Sequence, residues 1–85
     1  MWLSVDRIEG DIAVLVADDE AVYHVTAAEY LGMVGQPPQE THVLWGAIWD
    51  GRILTARYDA TETERRTQAA RERLQRLINK NNRKG

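Results

Sequence analysis

The chain has no cysteine, one serine, two histidines and two prolines in 85 residues. Without cysteine there is no disulfide framework and no thiolate metal site, so stability must come from packing or association. Nucleophilic catalysis is nearly excluded as well. Ser4 falls within a strand-like run and not on a nucleophile elbow. His24 and His42 each stand alone, without the i,i+4 spacing of a metal or base pair, and read as structural or surface residues. No apolar stretch approaches the roughly 20 residues that cross a bilayer, and the opening Met1-Trp2-Leu3-Ser4-Val5-Asp6-Arg7 lacks the basic and long apolar regions of a signal peptide. The expectation is a soluble cytoplasmic protein. One small domain is the limit at this length, burying about 60–65% of its unfolded surface.

Charge is present but segregated. Residues 1–64 hold three basic and twelve acidic side chains, whereas residues 65–85 hold eight basic ones against Glu72 alone. The net charge of −2 therefore conceals an acidic body with a basic C-terminal arm. The arm either docks on its own body or another copy, or meets an external anion such as nucleic acid.

Five strand-like runs precede a helix. Residues 2–8 and 12–17 flank the turn Glu9-Gly10-Asp11, and Asp18-Asp19-Glu20 is a solvated tip before a short third run, Ala21 to Val25. Three consecutive carboxylates lack the alternating spacing and glycine of a calcium loop. Thr26-Ala27-Ala28-Glu29 fits a capping box that opens a short helix ending at Gly32 or Gly35. Pro37-Pro38 then imposes extended backbone. Val43–Trp49 and Arg52–Tyr58 flank Asp50-Gly51, the dipeptide that a type I′ hairpin turn favours. Thr61 with Glu64, or Asp59 with Glu62, opens the last helix, whose small and apolar stripe runs through Thr63, Thr67, Ala70, Leu74, Leu77 and Ile78. Glu62–Arg66 and Glu72–Arg76 are favourable i,i+4 pairs.

These elements predict a mainly β (α+β) fold: a small five-stranded SH3-like or OB-like barrel over residues 1–58, an amphipathic helix over 59–80 and a frayed tail at 81–85. The segments Val5-Asp6-Arg7-Ile8-Glu9-Gly10, Ala13-Val14-Leu15, Asp50-Gly51 and Asp59-x-x-x-Thr63-x-x-Arg66 together resemble the small bacterial family known as domain of unknown function 3006. The resemblance spans about residues 3–78. It departs in the centre, where Tyr30-Leu31-Gly32 and Pro37-Pro38 stand in place of a Leu-Pro step and a Gly-Asp. It implies a β-rich bacterial protein with a C-terminal helix and an accessory role, and it carries no catalytic residues.

Asp6, Glu9 and Asp11 surround one turn and form the best available carboxylate cluster, but shaping that turn accounts for them. Arg7 is expected to pair with Asp59 or another carboxylate of the body. Trp45 and Trp49 share one face of a strand whose other face carries Leu44, Gly46 and Ile48. Core or helix-packing roles are expected for both tryptophans, with an interface or base stacking as alternatives. The reading is a non-enzymatic interaction module without cofactor or metal, binding a protein partner or itself through Trp45, Trp49, Leu74, Leu77 and Ile78. The alternative is nucleic-acid binding through Arg65, Arg66, Arg71, Arg73, Arg76, Lys80, Arg83 and Lys84 together with the tryptophans.

Overall fold

A computed structural model describes the backbone of residues 1–82 and the side chains of residues 1–80. Strands β1 (Trp2–Glu9), β2 (Ile12–Ala17) and β3 (Val22–Thr26) precede helix α1 (Ala27–Val34). Strands β4 (Val43–Trp49) and β5 (Arg52–Tyr58) follow, and then helix α2 (Ala60–Asn82). The strands form one antiparallel sheet in the order β3-β2-β1-β4-β5, curled into a half-barrel.

The turns follow the sequence. Asp50 and Gly51 have φ of 52° and 72°, the two positive values that a type I′ turn demands. In the first hairpin the positive φ falls on Gly10, at 60°. Thr26 caps α1, its Oγ1 accepting from the Glu29 N–H at 3.0 Å, and Gly35 ends it at φ 83° with its N–H on the Leu31 carbonyl at 2.8 Å.

Two bulges bend the sheet. In β1, Val5 faces Leu15 and Arg7 faces Val14, so Asp6 is an extra residue on that strand. In β5, Thr55 faces Ala47 and Ile53 faces Ile48, which leaves Leu54 unpaired and exposed. Each insertion increases local twist and turns the following residues to the other side. After Asp6, β1 accordingly ceases to bury its side chains.

The inner face of the curl holds the core: Leu3, Val5, Ala13, Leu15, Ala17, Val25, Leu44 and Ala56, with Tyr30 of α1 wholly buried among them. Helix α1 packs against β2, β3 and β5, so it spans the gap between the two edge strands. Gly46 is required by this packing. A Cβ there would lie 2.7 Å from Leu3 Cδ1 and 3.2 Å from the Thr55 carbonyl oxygen.

Several expectations are corrected. Trp45 and Trp49 lie on the outer face of β4 and are 45% and 72% exposed; neither belongs to the core. Leu44 and Gly46 are buried on the inner face of β4, and on its outer face α2 covers Val43 but leaves Trp45 and Trp49 exposed. Arg7 pairs with its neighbours Asp6 and Glu9 at the surface, because the bulge turns all three outward; it does not reach Asp59. Of the two N-caps open to α2, Asp59 with Glu62 is the one that forms. The helix continues to Asn82, two residues beyond the expected limit, and residues 83–85 of the expected tail, with Arg83 and Lys84, lie outside the described residues.

Candidate interaction surface

Helix α2 is fixed to the sheet at one end by a short set of polar contacts. Asp59 Oδ1 accepts from the Glu62 N–H at 2.8 Å, which is the N-cap, while the Asp59 N–H donates to the Val43 carbonyl at 2.9 Å. One turn later the buried Thr63 hydroxyl accepts from the Val43 N–H and donates to the Asp59 carbonyl, both at 2.8 Å. Val43 starts β4 where the partner strand has ended, so its N–H has no ladder acceptor and the threonine supplies one. A turn further on, Arg66 donates to Ser4 Oγ at 3.1 Å and to Glu62 at 2.9 Å, and its guanidinium lies 5.7 Å from the centre of the Trp2 ring. Trp2 in turn meets Trp45 edge-on at 4.8 Å. The motif Asp59, Thr63, Arg66 is thus the hook that attaches the helix.

Glu62 is the electrostatic centre of this hook. Hydrogen bonds from Arg65 and Arg66, reinforced by their charges, hold its carboxyl at a pKa of about 2. Arg66 also approaches Asp18 at 3.5 Å. Two of the eight basic residues proposed from sequence for an external anion, Arg65 and Arg66, are therefore occupied by the protein's own carboxylates.

Beyond Thr67 every described residue of α2 is exposed. Leu74, Leu77 and Ile78 are 58%, 56% and 44% exposed, and among the strands α2 packs appreciably only on β4. The molecule extends 52 Å along its longest axis and has a radius of gyration of 15.4 Å, against about 12 Å for a compact chain of this length. The distal helix therefore projects from the body. Where it leaves, an open apolar groove of about 360 Å³ lies between α2 and the sheet, lined by Ser4, Thr41, Val43, Thr67, Ala70 and Leu74 and flanked by Arg66 and Arg71.

The five residues proposed for interaction fall into two sets. Leu74, Leu77 and Ile78 lie on the projecting half of α2, and Trp45 and Trp49 lie on the outer sheet face. On that face Arg57 pairs with Trp45 and Arg52 with Trp49 across the β4–β5 ladder. Trp2 joins the sets, since it touches both Trp45 and the α2 hook. Its participation was not foreseen, although its position opposite Trp45 follows once β1 is known to pair with β4. Arg71, Arg73, Arg76 and Lys80 are exposed, with no ion pair among the described residues. Glu72 accepts from Gln68 and not from the expected partner Arg76.

The residues weighed for chemistry do not converge. Asp6, Glu9 and Arg7 form an exposed surface cluster, and no group of three His, Asp or Glu side chains among the described residues has metal-binding geometry. His24 is exposed on β3. His42 packs on Tyr58 at 4.6 Å with Nδ1 buried and unpartnered, and burial lowers its pKa. No helix among the described residues is long and apolar enough to cross a membrane.

No family model, curated protein or solved structure matches this chain.

Proposed function

We propose that this protein is a small non-catalytic interaction module that works by presenting α2 to a protein partner or to a second copy of itself. The observation that carries this reading is the exposure of Leu74, Leu77 and Ile78 on one stripe of a helix held only at its first turns. Helices in water owe most of their stability to a covered apolar face, and the described residues leave the distal half of α2 without cover. An accessory role, as the resemblance to domain of unknown function 3006 implies, is in keeping with such a surface. The strand order and the placement of α1 between β3 and β4 support an OB-like reading of the half-barrel over an SH3-like one.

The test is amide hydrogen exchange over residues 70–80 at rising protein concentration, with a Leu74→Asp/Leu77→Asp variant alongside. Protection that grows with concentration in the parent chain and is absent from the variant supports the reading. Fast exchange at every concentration contradicts self-association.

A second reading, nucleic-acid binding, draws support from the outer sheet face, where Trp45 and Trp49 stand exposed opposite Arg57 and Arg52. It calls for salt-sensitive binding of a single-stranded oligonucleotide that Trp49→Ala weakens, measured by fluorescence anisotropy. The acidic body opposes it.

A further inference from the structure

The geometry points to a second copy of this chain as the occupant of the α2 surface, packed antiparallel so that each projecting half-helix lies along the other molecule's groove. This rests on the interaction-module reading and specifies its partner and register.

The stripe residues Thr63, Thr67, Ala70, Leu74 and Leu77 are spaced four, three, four and three apart, which is the 3.5-residue seam of a two-helix pair. Its composition is uneven. The half near the body carries small residues, Thr67 and Ala70, and the projecting half carries large ones, Leu74 and Leu77. Inverting one helix about a two-fold axis level with Glu72 sets Ala70 against the other copy's Leu74 and Thr67 against its Leu77. Each layer then joins a small residue to a large one. The small side also borders the apolar groove, whose walls Ser4 and Val43 come from the sheet and Thr41 from the turn before β4. The leucines that one molecule leaves exposed thus find an unfilled apolar recess on the other, and the exchange is reciprocal.

Charge selects the same orientation. A parallel pair would hold two acidic bodies together at one end and two basic arms at the other. The antiparallel pair separates the bodies and carries Arg76 and Lys80 of each copy towards the first turns of the other α2, where Glu64 is exposed while Glu62 is already held by Arg65 and Arg66. Arg71 and Arg73 meet their own counterparts near the axis, so the apolar layers must supply the affinity.

Because the chain has no cysteine, the register is directly readable. In a Thr67→Cys/Leu77→Cys variant the two thiols of one helix stand about 15 Å apart along its axis, too far for an internal disulfide. Mild oxidation is expected to give a covalent dimer, whereas an Ala69→Cys/Leu77→Cys control stays monomeric. Because the Leu77→Cys change removes a large side chain from the seam, a swap is measured in parallel by sedimentation. Leu74→Ala alone weakens association at least about tenfold, and adding Ala70→Leu restores it to within about threefold by rebuilding the layer in reverse. If association occurs and Leu77→Asp abolishes it, but neither the disulfide nor the rescue is found, the antiparallel register is overturned while the module reading stands. If the parent chain does not associate at all, the second copy is excluded as the occupant of this surface, and the module reading keeps only a different protein partner.

Discussion

Single hydroxyls and hydrogens decide how this protein is held together. Thr63 Oγ1 satisfies a buried backbone N–H that no strand reaches, so Thr63→Val should cost about 1–3 kcal/mol while Thr63→Ser stays near the parent value, as read from denaturant midpoints. Gly46→Ala should also destabilise, because Leu3 and the Thr55 carbonyl leave no room for a methyl group. Tyr30 offers the opposite case. Its hydroxyl is buried without a protein partner, and burial pushes its pKa to about 12. Tyr30→Phe should leave the thermal midpoint unchanged or raise it, since the ring provides the packing and the hydroxyl no hydrogen bond. These roles were only partly legible in the sequence. Thr63 stood out within Asp59-x-x-x-Thr63-x-x-Arg66, but its hydrogen bond to Val43 depends on where β5 ends, which no local pattern encodes.

At the scale of elements, turn and cap chemistry was the most legible. Asp50-Gly51 forms the expected turn and Thr26 caps α1 by accepting from the Glu29 N–H, because both conformations are set by neighbours within a few residues. Arg7 and the tryptophans were less legible. Alternation correctly assigned Trp45 and Trp49 to one face but gave no information on whether another element covers that face, and the bulge at Asp6 redirected Arg7 towards residues beside it. Helix α2 has its own pH signature. Glu62 has a folded pKa of about 2, below its ordinary 4.5, so its contribution to stability is fully present above about pH 4.5 and is lost as pH falls towards 2. Glu62→Gln should lower stability at neutral pH and flatten the acid limb of a melting-temperature profile in that window. By contrast, Leu74→Asp in dilute monomer should shift stability by no more than about 0.5 kcal/mol, because the side chain touches so little of the body.

For the whole molecule, the segregated charge and the elongated shape belong together. The body keeps the acidic residues and the core, and the basic, apolar-striped helix stands clear of it. The sequence shows that the helix is amphipathic, but a stripe of this spacing serves equally for packing on the body or on a partner. In the structure the hook consumes only the first two turns and leaves the leucines outside. The account therefore depends on whether those leucines are covered by another molecule. Sedimentation equilibrium of the intact chain beside Leu77→Asp is the most direct measurement. The expected result is a concentration-dependent mass rising from 9.7 kDa towards twice that value in the parent chain and a fixed monomer mass in the variant. An intact chain that remains monomeric at high concentration, or a variant that associates equally well, would contradict the claim that the projecting stripe of α2 is a self-association surface.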